Sequence, residues 1–288
     1  MSFDLSKHAV LVAFNVSRPT LSRVDKRLTE EQQQNHNVSG RRTIKTVKDL
    51  FGDELEDVER AISALRDGVH YKLTIPWLDR GSALLVSKLY MQYTQAMREG
   101  IDKINAMIQA LDYPAILQRR RIRLNGTFNE ADYPSEHDFK RDYNISFQVT
   151  PLPSTSQFGH LEDVVDYELA LAQSDLECRM LDAHRDATRT VWQRVHDAVS
   201  RVHNTLKDGK YQRVHDSLIG DIADLAALLP ALNLDKDPAL DRVAKALQDK
   251  LVPQQGQIET CKRPGADTHQ KQVAAEAEAI LNMMAGYL

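Results

Sequence analysis

Residues Leu161–Asp208 read LEDVVDYELALAQSDLECRMLDAHRDATRTVWQRVHDAVSRVHNTLKD, 48 residues without a Gly or Pro, set between Gly159 and Gly209. At 1.5 Å per residue a continuous helix of that length measures roughly 70 Å. The mean helix of a globular protein has only about 11–12 residues, so this stretch predicts a rod, a coiled coil or a bundle element. In its second half Val191, Val195, Val199, Val202 and Leu206 recur at steps of four, four, three and four, while Arg194, Asp197, Arg201 and Lys207 lie off that line. Such a near-heptad stripe requires a partner helix. The expected fold is mainly α: long antiparallel helices forming an extended bundle or coiled coil, with a small two- or three-stranded β element.

The rest of the chain supplies partner helices and that β element. On the C-terminal side, Tyr211–Leu229 predicts a helix stopped by Pro230. Asp237-Pro238 forms an N-cap and first-turn pair before the stripe Leu240, Val243, Leu247, Leu251. A last helix, capped by Asp267 or Thr268, carries Val273, Ile280, Leu281 and Met284. On the N-terminal side, Ala9–Val16 predicts a buried strand. In Asn144–Val149, Ile145, Phe147 and Val149 alternate with polar residues, the pattern of a half-buried strand that must pair with Ala9–Val16 or Tyr71–Ile75. Between them Leu55, Val58, Ile62, Leu65 and Val69 form an amphipathic helical stripe, and a second helix is expected from about Ser82 to Leu111, with Gly100 marking a close contact. Ser135 with Asp138 predicts the cap of a short helix. The natural division is residues 1–153, an N-terminal α+β region, and residues 154–288, the long-helix and C-terminal helical region.

Composition narrows the function classes. With 288 residues and 42% hydrophobic content the chain supports a folded core, and 12 Gly and 10 Pro are few enough to favour helix. A net charge of −4 argues against bulk electrostatic attraction to nucleic acid. No apolar run is long enough for a membrane span or secretory signal. Cys178 and Cys261 have neither metal-ligand spacing nor disulfide-scaffold density, which fits a reducing cytoplasm.

Local charge is the main exception. Residues 18–48 hold eight Lys/Arg against three Asp/Glu, a local charge of +5, around the apolar-poor segment Gln32–Asn37, which reads as a mobile loop. Arg41 and Arg42 of this arm, with Arg119, Arg120, Arg121 and Arg123 further on, are candidate contacts for phosphate or for an acidic partner. The competing reading of the second cluster is a helix C-terminus whose basic residues suit the dipole. Phe128, Tyr133 and Phe139 beside it could stack on bases or belong to a core.

His184, His196, His203 and His215 are separated by 12, 7 and 12 residues, which places no two of them within reach of one ion. No phosphate loop, dinucleotide fingerprint, nucleophile elbow or zincin motif occurs, so no catalytic residue, cofactor or metal is assigned. An enzyme with a dispersed site around His160, Asp163 and Asp166 ranks third and low, since acids there also suit a helix N-terminus.

Trp77-Leu78-Asp79-Arg80-Gly81, the run Phe128–Ser135, Pro151-Leu152-Pro153 and Ala274–Leu281 together resemble a family of uncharacterised proteins of tailed bacteriophages and prophages. The resemblance covers the chain from about Tyr71 onward. It implies a viral origin and the host-cell cytoplasm, and carries no activity or site residues. The functional expectation is a non-enzymatic helical protein that self-associates or binds a phage or host protein, with Val191, Val195, Val199, Val202 and Leu206 as its helix-packing seam. The alternative is a nucleic-acid-binding protein using the basic arm and arginine cluster.

Overall fold

The computed structural model describes residues 5–36, 45–77, 81–154, 166–208, 217–254 and 266–287. Arg41, Arg42, Leu78–Arg80, His160, Asp163, Cys261, the predicted helix start at Leu161 and the predicted segment 211–216 lie outside them. The chain is mainly helical, with a small antiparallel sheet. In order it forms β1 (Ala9–Ser17), β2 (Ser22–Val24), α1 (Lys26–Asn35), β3 (Val47–Asp49), α2 (Glu56–Leu65), β4 (Ile75–Pro76) and β5 (Ala83–Val86). There follow α3 (Tyr90–Gln109), α4 (Tyr113–Leu124), α5 (Glu136–Asp142), β6 (Asn144–Pro151), α6 (Asp166–Leu206), α7 (Ser217–Leu232), α8 (Pro238–Ala246) and α9 (Ala266–Met284). Among the described residues the larger sheet has strand order β4-β5-β1-β6, and β2 and β3 form a separate pair. Strand β6 is therefore the neighbour of the N-terminal strand.

Two compact units emerge, Met1–Val12 with Leu73–Met91 and Val149–Leu288, and Ala13–Lys72 with Gln92–Gln148. In the first, α6 runs unbroken for 41 residues, about 60 Å at 1.5 Å per residue. It packs against α9 and α7. Trp192 stacks on Tyr287 at 4.6 Å between ring centroids, and His203 Nδ1 lies 3.1 Å from the Ala274 carbonyl. The two helices therefore run in opposite directions. The stripe finds its partners within its own chain: Val191, Val195, Val199, Val202 and Leu206 are all buried, as are Val273, Ala277, Ile280 and Met284 of α9.

Two sequence expectations in this unit are corrected and a third holds. The helix expected from Ser82 begins at Tyr90 instead, because Ala83–Val86 forms strand β5, paired antiparallel with β1 from Ala9↔Val86 to Val12↔Ala83. Every residue of β5 is buried, and a four-residue apolar run enclosed on both faces has the same composition as a buried helical turn. Pro230 does not stop α7 but lies inside it. A proline there removes the N–H that would bond Ala226 O; the Gln248 amide donates to that carbonyl instead, at 3.4 Å, and Lys88 Nζ donates to Pro230 O at 3.2 Å. Asp237 caps α8 as its sequence predicts, accepting from Ala239 N at 2.8 Å with Pro238 in the first turn.

In the second unit, Gln32–Asn35 of the segment read as a mobile loop belong to helix α1, which ends with His36 as its C-cap; Asn37 lies outside the described residues. Lys, Arg, Glu and Gln are straight-chain helix formers, Asp25 caps the first turn through Leu28 N at 3.0 Å, and Thr29 Oγ1 accepts from Thr46 N at 3.0 Å. Apolar content alone understated this helix. The predicted contact at Gly100 is present: a Cβ there would lie 2.3 Å from Leu65 Cδ1, so α2 and α3 meet through a residue without a side chain. Ser135 caps α5 by accepting from Asp138 N at 3.1 Å.

Candidate functional site

The arginines of α4 are placed by a helix that starts at Asp112, whose carboxylate accepts from Ala115 N at 3.1 Å, with Pro114 in the first turn. Arg119 grips the Glu54 carboxylate through Nε at 2.9 Å and Nη2 at 2.7 Å, and the guanidinium holds that carboxyl below its usual range. Arg121 donates to Glu130 at 2.8 Å and sits 5.2 Å above the Phe128 ring. Arg123 is 3.6 Å from Asp53.

Arg120 points the other way. It is only 7% exposed, and it donates from Nε to Leu50 O at 2.8 Å and from Nη2 to Asp49 O at 2.6 Å. The Tyr133 hydroxyl donates to the same Leu50 carbonyl at 2.9 Å, so both of its lone pairs are used. The turn that offers these carbonyls is folded by Asp49, whose Oδ1 accepts from Phe51 N at 3.1 Å and Gly52 N at 2.9 Å. Gly52 stands at φ +56°, where the left-handed region favours glycine. Around this turn Phe51, Tyr113, Tyr133 and Phe139 form a buried ring cluster, and Phe128 stacks on Tyr133. Burial pushes the Tyr113 hydroxyl up to about 12, and that hydroxyl donates to Pro134 O at 2.6 Å.

The cluster is thus neither an open basic patch nor merely a dipole-matched helix end. Each of the four guanidinium groups already has a protein partner, and a phosphate would have to compete with it. Phe139 and Tyr133 belong to the core. Of the six candidate contact residues, the four on α4 fall on one helix and the other two, Arg41 and Arg42, lie outside the described residues.

A residue that the sequence reading passed over is His70. The apolar stripe of α2 predicts Val69 on the core face, yet Val69 is half-buried and His70 is 6% exposed. The cause is a π-helical turn over Arg66–Tyr71, which adds a residue to the turn and carries the inward position one place along. His70 Nδ1 lies 2.8 Å from the Tyr93 hydroxyl, with the Phe14 and Tyr71 rings at 5.9 and 5.4 Å. Burial lowers the His70 pKa and raises that of Tyr93. Nothing in the i, i+3, i+4 spacing signals that turn.

Helix α6 divides into two parts. From Ala183 onward it buries its stripe, and the loop before α8 is tied to it: His184 Nε2 and Thr188 Oγ1 both reach the Asp235 carboxylate at 2.8 Å. From Tyr167 to Asp182 no residue is buried. Tyr167, Leu171 and Leu181 are 69%, 49% and 51% exposed. Asp166 begins the helix, and its proposed companions His160 and Asp163 lie outside the described residues. Among the described residues no group of three or more His, Cys, Asp or Glu could hold a metal ion, and no helix is long and apolar enough to cross a membrane.

No protein-family model, curated protein or solved structure matches the chain.

Proposed function

We propose that this chain is a phage-encoded, non-enzymatic protein of the host cytoplasm that acts by binding protein through helix α6, either a second copy of itself or another phage or host protein. The observation that carries the reading is the first half of α6. More than four helical turns, residues 167–182, hold large apolar side chains in solvent, whereas most of a helix's stability in a protein comes from packing its apolar face. A helix end of this kind gains most from a protein partner, and coiled-coil pairing is the geometry that suits it. The sequence resemblance supports the phage origin and the cellular setting. The nucleic-acid alternative is less favoured because the arginines of α4 already hold Glu54, Glu130, Asp53 and backbone carbonyls.

Size-exclusion chromatography with light scattering, together with crosslinking in infected cells, tests the reading. Self-association, or a crosslinked partner that maps to residues 167–182, supports it. A monomer at all concentrations with no crosslink to that segment would overturn it.

A further inference from the structure

The exposed half of α6 carries a heptad stripe whose frame the buried half continues through Trp192, Val195, Val199, Val202 and Leu206. Tyr167, Leu171, Ser174, Cys178, Leu181 and Arg185 follow one another at steps of four, three, four, three and four, a strict heptad spacing, and all six are exposed. With Leu171 and Cys178 at a, positions 167, 174 and 181 are d. Glu168, Asp175 and Asp182 then fall on one flank, seven residues apart, and Glu177 on the other; all four are exposed.

Those flanks discriminate between occupants. If a second copy paired antiparallel, the edge formed by Glu168, Asp175 and Asp182 would face its own equivalent, acid against acid. In a parallel pair Glu177 would face Asp182 of the other copy, again like against like. Flanking charges set partner choice in coiled coils, and like-charge pairs are destabilising. We infer that residues 167–182 of α6 form a docking face for an amphipathic helix of a different protein whose flanking positions carry Lys or Arg. This rests on the proposal that α6 binds protein, and replaces its open choice of partner with one of stated chemistry: leucine-type side chains over Leu171 and Leu181, and basic residues over the acidic edge.

The test uses the full chain and two fluorescein-labelled synthetic helices with Leu at a and d, one with Lys and one with Glu at the flanking positions. Fluorescence anisotropy should show binding of the Lys helix and little of the Glu helix. The variant Leu171→Gln/Leu181→Gln should weaken the Lys helix at least tenfold. Glu168→Lys/Asp175→Lys/Asp182→Lys should reverse the preference. These side chains are exposed, and circular dichroism checks that the variants keep their helix content. Alkylation of Cys178, followed by mass spectrometry, should slow when the Lys helix is bound. Equal binding of both helices, no binding of either, or an affinity unchanged by the leucine variant would overturn the inference. If light scattering finds an oligomer while the Lys helix fails to bind, this inference falls alone; if residues 167–182 also yield no crosslink and the chain is monomeric, the function proposed above falls with it.

Discussion

The Arg120 guanidinium occupies the space where a side chain on Gly52 would begin: a Cβ at Gly52 would lie 2.5 Å from Arg120 Nη1. The pair closes the turn after β3 from both sides, glycine by its backbone conformation and arginine by its bonds to the Asp49 and Leu50 carbonyls. Gly52→Ala should therefore cost about 1–3 kcal/mol from the left-handed backbone alone, and more from the clash. Urea unfolding measures this. A variant as stable as wild type would mean that the turn adopts another conformation.

The four arginines should separate in the same measurement. Arg120→Gln strips buried carbonyls of charge-assisted donors and should cost on the order of 2–3 kcal/mol. Arg119→Gln leaves the Glu54 carboxylate, whose side chain is only 10% exposed, without its guanidinium and should cost more than Arg123→Gln, whose pair with Asp53 is exposed on both sides and should barely move the unfolding midpoint. Wild-type protein should not bind labelled oligonucleotides at low salt. Salt-sensitive binding that weakens in Arg121→Gln or Arg123→Gln would restore the nucleic-acid reading.

At Gly100 the close approach of α2 and α3 outweighs helix propensity. Ala is better than Gly in a helix by about 1 kcal/mol, yet Gly100→Ala should be net destabilising because its methyl group meets Leu65. Leu65→Ala opens a cavity and should cost about 2–5 kcal/mol by itself. The double variant should lose less than the sum of the two single losses. Strict additivity in that cycle would show that the two residues do not touch.

His70 gives the second unit a pH dependence of known sign. Its pKa is lowered by burial, so the unfolded chain, titrating near 6.5, binds the proton more readily than the folded one. The stability held by the neutral imidazole is fully present above about pH 6.5 and is lost as pH falls through that value toward the folded pKa. Below pH 6.5 the stability of His70→Phe should fall less steeply than that of wild type, by up to about 1.4 kcal/mol per pH unit. The variant's lost Tyr93 contact lowers stability at every pH and leaves the slope untouched. Identical slopes would remove His70 as the titrating group.

Replacing Val195 and Val202 together by Asp places two charges in the contact of α6 with its neighbours, at a cost on the order of 5 kcal/mol, enough to unfold a marginal domain. Arg201→Ala, at an exposed position of the same helix, should stay within about 0.5 kcal/mol of wild type. Thermal melts followed by circular dichroism distinguish these outcomes. An unchanged melt for the double variant would mean that the seam is open to solvent.

Local chemistry was enough to determine the helical character of Asp166–Leu206, the capped starts of α5 at Ser135 and α8 at Asp237, and the strands at Ala9 and Asn144, because spacing and caps act over a few residues. The tertiary structure decided what depends on distant partners. Ala83–Val86 became a strand because β1 and β4 lie on either side of it, and Pro230 stayed helical where Gln248 serves the carbonyl that proline leaves without its donor. His70 replaced Val69 in the core through one π-helical turn, and the arginines of α4 met carboxylates and carbonyls from the turn after β3 and its neighbours. Apolar residues recur along the whole of α6, but the locations of α7, of the loop before α8 and of α9, whose Ala274 is 71 residues beyond His203, separate the turns that are buried from those left facing solvent. Periodicity tells which face of a helix is apolar; which turns of that face are covered depends on where the rest of the chain ends up.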